Sequence, residues 1–313
     1  MTINAMLSVI VPVSDRYDNS GSLAHEYLDA LIETGRDFEL VYVLDGQHSD
    51  LCEELLRLAR QDTRLRIIQL AKSFGEAATL SAGLENTSGD VVVTLPAYYQ
   101  VEASDIEKLI TEIDVSDMAI GARWPRVAAS GFEVFRRKAF HWLVKSVTSI
   151  SFSDLGCGAR AFKRIVATEV PIYGDLHRFF PLLAHRRGFR VSEVQLRQSD
   201  KDRYEKGYGF KTYLRRFLDI FTILFLVRFT KKPLRFFGTI GSITFLSGGI
   251  FLLFIVVERL FFGVALADRP ALLLSSLLVV LGIQIFALGL LGELIIFTHA
   301  KELKEYSIDR IVN

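Results

Sequence analysis

Two short stretches of this sequence carry polar and aromatic side chains where a ligand could reach them. The first is PAYYQ at residues 96–100, which follows the apolar run Val91–Leu95. The run contains β-branched residues and ends at a proline, so it predicts a buried strand that runs into a turn. In an open α/β sheet, ligands bind beyond the carboxyl ends of the strands. We therefore expect residues 96–100 to face whatever this protein binds.

The second stretch is the glycine-rich turn DLGCG at residues 154–158, which Arg160 follows closely. A guanidinium beside such a turn suits an anionic phosphate. The alternatives are that Arg160 forms a salt bridge with Asp154, and that Asp154 caps the turn at Gly156. A metal site receives no support from this pattern, because the six His and two Cys of the chain show no metal-ligand spacing.

Strands that alternate with helices must position both stretches. This alternation predicts βαβ units and a mostly parallel sheet. Right-handed crossovers then bring the loops after Pro12, Leu44 and Leu95 to one edge of the sheet. The predicted strands are Leu7–Val13, Phe38–Leu44, Leu65–Leu70, Val91–Leu95, Met118–Gly121 and Val191–Leu196. The predicted helices are Ser22–Thr34, Asp50–Arg60, Phe74–Leu84, Asp105–Ile113 with Ser104 as its cap, and His177–Gly188.

Composition divides the chain unevenly. Its 313 residues carry a net charge of +1, which gives no support to nucleic acid as a partner. Two cysteines are too few for a disulfide framework and fit a reducing cytoplasm. The N-terminus has neither a basic lead nor a cleavage site, so no signal peptide is expected. Half of the residues are hydrophobic, and they concentrate in the last third.

Two uncharged runs, Phe236–Val257 and Ala271–Gly292, dominate that last third. Each exceeds the roughly 20 residues that cross a hydrocarbon core about 30 Å thick. The alternative is a pair of buried core helices, although soluble helices of that length normally keep a polar face. The short loop Glu258–Pro270 makes the two runs a transmembrane hairpin. The stretch Lys211–Phe229 mixes basic and large apolar residues, which is typical of a helix lying in the membrane surface or of an amphipathic helix packed on the domain.

Lysine and arginine near the ends of the runs predict the orientation of the hairpin. Six basic residues precede the first run and three follow the second, whereas the connecting loop has two. We therefore expect a multi-pass protein of a bacterial-type inner (plasma) membrane, with both termini and the sheet domain in the cytoplasm. The predicted parts are a cytoplasmic domain at 1–210, interfacial helices at 211–235, the hairpin at 236–298 and a cytoplasmic tail at 299–313.

With these features in view, the chain resembles the family 2 glycosyltransferases. Within them it is similar to polyprenyl- and dolichyl-phosphate sugar transferases that carry membrane helices after the catalytic domain. The resemblance rests on the order and spacing of several segments from Leu7 to the C-terminus. They are VIVPV at 9–13, LDG at 44–46, SFGEAATLSAGLENTSGD at 73–90, SDLGCGARAFKR at 153–164, HRF at 177–179 and KKPLRFFG at 231–238.

The resemblance implies a GT-A-like sheet that binds a nucleotide-sugar, a polyprenyl phosphate as acceptor, and a homo-oligomer. In such proteins the strand after Gly89-Asp90 usually ends in Asp-x-Asp, whose carboxylates hold Mg²⁺ or Mn²⁺ against the diphosphate. Here Pro96 and Tyr98 occupy those positions, and Gln100, which matches, offers a lone amide oxygen. We therefore expect no metal and no other cofactor.

The resemblance also assigns roles to individual residues of this chain. Guanidinium and ammonium groups could stabilise the leaving diphosphate in place of a metal. The expected catalytic residues are Arg123, Arg203 and Lys206. The expected donor-binding residues are Pro12, Asp15, Arg16, Asp45, Gly75, Tyr98, Tyr99 and Gln100. The expected acceptor-phosphate residues are Arg126, Asp154 and Arg160.

Three functions stay open at this point. The first is a metal-independent glycosyltransferase that transfers a sugar to polyprenyl phosphate. The second is a catalytically silent relative that binds lipid phosphate or a partner subunit. The third is a transporter, for which Glu293 near the end of the second run is the candidate intramembrane acid. Glu293 could instead pair with Arg235 or Lys301.

Overall fold

The structure is a computed structural model that describes residues 6–14, 16–18, 20–125, 152–170, 177, 179–202, 233–263 and 270–299. These residues fall into two compact units. One unit holds a β-sheet with its flanking helices, and the other holds two long helices. Each unit is held together by its own internal contacts.

The sheet unit contains seven described strands in the order β3-β2-β1-β4-β6-β5-β7. β1 pairs in parallel with β2 and β4, β2 with β3, and β5 with β7. Among these strands, β6 alone runs antiparallel to its neighbours, β4 and β5. The prediction of a mostly parallel sheet is therefore confirmed. The strands are β1 (Leu7–Val13), β2 (Phe38–Leu44), β3 (Leu65–Gln69), β4 (Val91–Thr94), β5 (Met118–Arg123), β6 (Arg160–Lys163) and β7 (Val191–Leu196).

Helices connect the strands as the sequence pattern indicates. β1 and β2 are almost continuously apolar because helices cover both faces of a parallel sheet. The amphipathic first helix shows the matching pattern, since its buried side chains recur with helical spacing. The described helices of this unit are α1 (Ser22–Glu33), α2 (Ser49–Gln61), α3 (Glu76–Glu85), α4 (Ile106–Glu112), α5 (Arg164–Glu169) and α6 (Phe180–Arg186).

Three local predictions differ from the structure. β6 was not predicted, because its four residues directly follow a glycine-rich turn and carry no clear alternation. Ser104 does not cap α4, because a 3-10 turn at Ala103–Asp105 precedes that helix and the Ser104 hydroxyl accepts an N–H from Arg197 instead. The predicted helix from His177 is shorter, because α6 begins at Phe180 with a proline in its first turn.

The second unit is a pair of long apolar helices, α7 (Pro233–Phe262) and α8 (Pro270–His299). Both are long and apolar enough to cross a membrane, and the most apolar windows have mean hydropathies of 2.4 and 2.5. Only 17% and 11% of the residues in those windows are buried, which disfavours the alternative of soluble core helices. The helices approach closely at glycines: a Cβ on Gly241 would lie 2.7 Å from the backbone nitrogen of Phe286. At the start of α7, Glu293 accepts the N–H of Leu234.

Candidate functional site

Many of the site residues expected from the sequence lie at the carboxyl ends of β1, β2, β4, β5 and β7. β1 lies between β2 and β4 in parallel, so the segments after these three strands emerge side by side. The antiparallel β6 begins at this same edge, because Arg160 pairs with Thr94 near the end of β4. The glycine-rich turn at 154–158 and the PAYYQ turn at 96–100 are therefore neighbours.

A buried ion pair joins Arg123 at the end of β5 to Asp154. Arg123 Nε donates to Asp154 Oδ2 at 2.6 Å, and Nη2 donates to Oδ1 at 3.1 Å. Their side chains are 10% and 3% exposed, so the pair is shielded from water. Burial opposes the charge on Arg123, but the hydrogen bonds and charge of Asp154 outweigh it and raise the pKa of Arg123. The guanidinium is therefore a permanent cation.

Asp202, which was not among the site residues expected from the sequence, lies between two arginines at this edge. Its carboxylate accepts hydrogen bonds from Arg16 Nη2 at 2.9 Å, Arg123 Nη1 at 3.4 Å and Gln198 Nε2 at 2.8 Å. Asp202 follows β7 in the polar loop QSDKD, where nothing in the residue types separates it from Asp200. Its position beyond a strand that ends at this edge was the one usable signal.

Tyr98 and Gln100 connect the two turns. The Tyr98 ring lies under the Arg16 guanidinium, whose central carbon is 3.8 Å from the ring centroid. Gln100 Nε2 donates to the Tyr98 hydroxyl at 2.6 Å, and Gln100 Oε1 accepts the Gly158 N–H at 2.7 Å. Burial raises the pKa of Tyr98 to about 12, although the nearby charge of Arg16 opposes the shift. Tyr98 therefore remains a neutral phenol at physiological pH.

The backbone of the PAYYQ turn is held firmly. The Tyr27 hydroxyl donates to the Pro96 carbonyl at 2.9 Å, and the Asp18 N–H donates to the Ala97 carbonyl at 2.7 Å. The Tyr99 hydroxyl lies 2.7 Å from Ser22 Oγ, and Lys201 Nζ lies 4.2 Å from the centroid of the Tyr99 ring. These contacts make the segment an ordered turn anchored to α1.

Asp45 and Gly75 form a second cluster beyond β2 and β3. The buried Asp45 carboxylate accepts hydrogen bonds from the Phe74 N–H at 2.7 Å, the Ser73 hydroxyl at 2.7 Å and the Gly75 N–H at 3.0 Å. Burial opposes ionisation, but these bonds outweigh it and hold the pKa of Asp45 below its usual value. Gly75 has a φ of 95°, which favours glycine. Asp45 thus fastens the loop that begins α3, and its expected donor-binding role stays a prediction.

Arg160 also has structural partners. Its buried guanidinium donates to the carbonyl groups of His177 at 2.7 Å, Cys157 at 3.3 Å and Leu155 at 3.4 Å. These bonds hold the glycine-rich turn in shape, which points to a positioning role. Its assignment to the acceptor phosphate stays a prediction.

Apart from Asp45, Gly75, Tyr99 and Arg160, whose contacts are given above, the site residues expected from the sequence divide into three sets. The structure brings Arg16, Tyr98, Gln100, Arg123 and Asp154 together. Pro12 lies in β1 opposite Val43, one residue before the strand ends. Outside the described residues lie Asp15, Arg126, Arg203 and Lys206, and also the predicted interfacial helix at 211–229.

The Mg²⁺ or Mn²⁺ that the resemblance implies does not fit the side chains at the end of β4. Pro96 offers no ligand, the Tyr98 phenol stays protonated, and the Gln100 oxygen already accepts a hydrogen bond. The Arg16 guanidinium beside them would also repel a cation. Across the part of the chain that the structure describes, no three His, Cys, Asp or Glu side chains group so that they could hold a metal ion.

Known proteins resemble this chain in sequence and in fold. The model of the family described as Glycosyl transferase family 2 matches residues 8–167. The chain is 24% identical to the dodecaprenyl-phosphate galacturonate synthase of Rhizobium johnstonii over 95% of its length and 89% of the relative's. It is 28% identical to the undecaprenyl-phosphate 4-deoxy-4-formamido-L-arabinose transferase of Pectobacterium atrosepticum, over 98% and 94% of the two chains.

Two crystal structures share the fold of the sheet unit. Mannosyl-3-phosphoglycerate synthase from Rubrobacter xylanophilus matches with a TM-score of 0.55 and 10% identity, over 71% of this chain and 73% of that one. Glucosyl-3-phosphoglycerate synthase from Mycobacterium tuberculosis, in complex with Mn²⁺, uridine diphosphate and phosphoglyceric acid, matches with a TM-score of 0.52 and 16% identity, over 71% and 78%. At these identities the likeness concerns the fold.

Proposed function

Because this chain belongs to glycosyl transferase family 2, we propose that it transfers a sugar from a nucleotide-sugar donor to the phosphate of a polyprenyl lipid. The similarity to the undecaprenyl-phosphate transferase of Pectobacterium atrosepticum is the observation that carries this proposal. It extends over 98% of the chain, so it includes the two long apolar helices as well as the sheet. An acceptor that is embedded in a membrane matches a chain with such helices.

The proposed reaction needs little from a general base. An oxygen of the lipid phosphate, already ionised at neutral pH, forms the new bond to the anomeric carbon of the sugar. The bond from that carbon to the donor diphosphate breaks, and its electron pair leaves with the nucleoside diphosphate. The barrier then depends mostly on positioning and on stabilising the charge of the leaving group.

In this proposal, arginine side chains stabilise the leaving group without a divalent cation. Arg16 and Arg123 lie at the carboxyl edge of the sheet, and the fork of donors on each guanidinium suits phosphate oxygens. Tyr98 supports Arg16 from below, and its protonated hydroxyl is available as a hydrogen-bonding group. We place the sheet unit on the cytoplasmic face, which agrees with the excess of Lys and Arg outside the hairpin loop.

A catalytically silent relative is the second candidate, and one observation favours it. The carboxylates of Asp154 and Asp202 already accept hydrogen bonds from Arg123, and Asp202 also accepts one from Arg16. Such arginines attract a second anion less strongly than free ones would. This candidate keeps lipid-phosphate binding and has no turnover.

A transfer assay on the full-length protein separates the two candidates. The purified protein, in detergent with undecaprenyl phosphate, is incubated with a panel of radiolabelled nucleotide-sugars, each with Mg²⁺ or with EDTA. We expect a lipid-linked sugar from at least one donor, at a similar rate in both conditions. Loss of product in EDTA would contradict the metal-free mechanism. No product from any donor, together with binding of undecaprenyl phosphate, would favour the silent relative.

A further inference from the structure

Three hydrogen-bond donors from three separate segments converge on the Asp202 carboxylate. Arg16 lies after β1, Arg123 ends β5, and Gln198 follows β7; their donor nitrogens lie 2.9, 3.4 and 2.8 Å from its oxygens. The Asp202 side chain is 4% exposed, so these contacts are shielded from water. Gln198 belongs to the same loop as Asp202, whereas the two arginines reach it from other parts of the fold. Cationic donors that converge in this way form a preorganised site for an anion.

Among the residues that the structure describes, the charges in this cluster balance before any ligand arrives. Arg16 and Arg123 contribute two positive charges, and Asp154 and Asp202 contribute two negative ones. Asp154 binds Arg123 through Nε and Nη2, which leaves Nη1 of Arg123 for Asp202. If Asp202 moved away, the three donors would regain a net positive charge. A phosphate group could then replace the carboxylate, since a guanidinium binds both through the same fork.

We propose that Arg16, Arg123 and Gln198 form a phosphate-binding site and that Asp202 occupies it as an internal competitor, which the diphosphate of the donor displaces. The identity of the ligand as a nucleoside diphosphate rests on the function proposed above. Arg16 gives the ligand its access, because its side chain is 37% exposed. The Tyr98 ring beneath it fixes the plane of the guanidinium.

A purely structural role for Asp202 makes the opposite prediction. If the carboxylate serves to hold the two arginines in position, removing its charge loosens them and weakens phosphate binding. If it competes with phosphate, removing its charge frees the donors and strengthens binding. The sign of the change in affinity therefore distinguishes the two roles.

The test compares wild type with Asp202→Asn, a variant that keeps the shape of the side chain. The full-length protein in detergent, with EDTA present, is titrated with inorganic pyrophosphate by calorimetry. We expect the Kd for pyrophosphate to fall by about fivefold or more in Asp202→Asn. Arg16→Ala in the Asp202→Asn background should abolish this gain. An unchanged or larger Kd in Asp202→Asn would overturn the proposal, and if that variant does not fold, Asp202→Ser removes the same charge and carries the same expectation.

Asp117→Asn is the matched control. Asp117 also lies between two cations, with Lys163 Nζ at 2.8 Å and Arg190 Nε at 3.5 Å. It directly precedes β5, so it lies at the opposite edge of the sheet from Arg123, about 20 Å away at the rise of a strand. Asp117→Asn changes the net charge by the same amount as Asp202→Asn, and we expect the Kd of the Asp117→Asn variant for pyrophosphate to match that of wild type. An equal gain in this control would mean that overall charge, and not Asp202, sets the affinity.

The pyrophosphate titration and the sugar-transfer assay can fail independently of each other. If wild type transfers sugar while Asp202→Asn binds pyrophosphate no more tightly, the phosphate site is wrong and the transferase stands. If no donor yields product while Asp202→Asn binds pyrophosphate more tightly, the anion site stands and the transferase is wrong.

Discussion

At the scale of single residues, the ionised partners at this edge depend strongly on one another. Arg123 and Asp154 are both buried, so removing either side chain would leave a desolvated charge without its partner. Breaking such a pair typically costs about 3–5 kcal/mol. Variants of Arg123 or Asp154 would therefore report on folding as well as on chemistry, whereas the more exposed Arg16 is better suited to functional tests.

Asp45 provides a pH-dependent prediction for the same edge. Its pKa lies below the ordinary value of 3.8, so its ionised form stabilises the folded protein above that value. We expect Asp45→Asn to lower the free energy of unfolding by about 2–3 kcal/mol at pH 7, since an amide cannot accept all three hydrogen bonds. The deficit should shrink as the pH falls below about 5 and vanish once Asp45 is protonated in the folded state.

Chemical unfolding of wild type and Asp45→Asn at several pH values checks this expectation. Asp50→Asn serves as the control, because Asp50 is exposed in α2 and accepts its side-chain hydrogen bond from the adjacent Ser49. Its effect should stay within about 0.5 kcal/mol. A deficit for Asp45→Asn that is equally large at pH 3 and pH 7 would contradict the role assigned to the Asp45 charge.

The position of several site residues at the carboxyl edge of the sheet was predictable from the sequence, but their hydrogen-bond partners were not. Parallel crossovers were enough to place Arg16 and Tyr98 at one edge. Which carboxylate each arginine contacts depends on loop conformations that follow β1 and β7, and these carry no periodic signal. Asp202 was missed for this reason, and so were the backbone carbonyls that the Arg160 guanidinium binds.

At the scale of elements, short segments and caps were the hardest to predict. β6 has four residues and is recognisable only through its antiparallel pairing with β4 and β5, which is a non-local property. The start of α6 follows from Pro181, whose ring lacks an N–H and suits the first turn of a helix. The long buried strands β1 and β2 were predicted with their correct bounds, because continuous apolar runs flanked by turn residues are distinctive.

Glycines along α7 yield a prediction for the helical unit. A Cβ on Gly241 would lie 2.7 Å from the Phe286 nitrogen and 2.8 Å from the Gly282 oxygen, both backbone atoms of α8. Gly241→Leu must therefore push the helices apart, and we expect it to destabilise the hairpin by at least about 2 kcal/mol. Thermal unfolding of the full-length protein in detergent measures the loss.

Gly249 on the same helix supplies the control for this substitution. A Cβ there would meet no atom within 4 Å. Because leucine also has a higher helix propensity than glycine, Gly249→Leu should leave the thermal midpoint unchanged or raise it. If both variants lose stability equally, close approach of the two backbones is not what Gly241 provides.

At the scale of the whole molecule, the chain consists of a sheet unit and a helical unit. The family match covers much of the former, while the relatives match nearly the full length. Composition also predicts a division of the chain, because charged residues are absent from two long runs and frequent before them. The sugar, the nucleotide and the oligomeric state have no comparable signature, since each depends on the detailed shape of a pocket or an interface.

The expected membrane topology can be measured directly. Because basic residues lie outside the hairpin loop, we expect a fluorescent protein fused after Asn313 to be fluorescent, and alkaline phosphatase fused there to be inactive. A phosphatase fused after Gly263, which directly follows α7, should be active because that position lies between the two expected spans. The reverse pattern at the two positions would place the sheet unit outside the cytoplasm.

Gln100 links the PAYYQ turn to the glycine-rich turn at the sheet edge. One amide group bonds the Tyr98 hydroxyl through its nitrogen and the Gly158 backbone through its oxygen, so neither turn can rearrange without straining the other. If the donor binds at the PAYYQ turn and the acceptor at the glycine-rich turn, as expected from the sequence, each should alter the affinity of the other by an equal and reciprocal factor. Donor and acceptor would thus communicate through a single side chain.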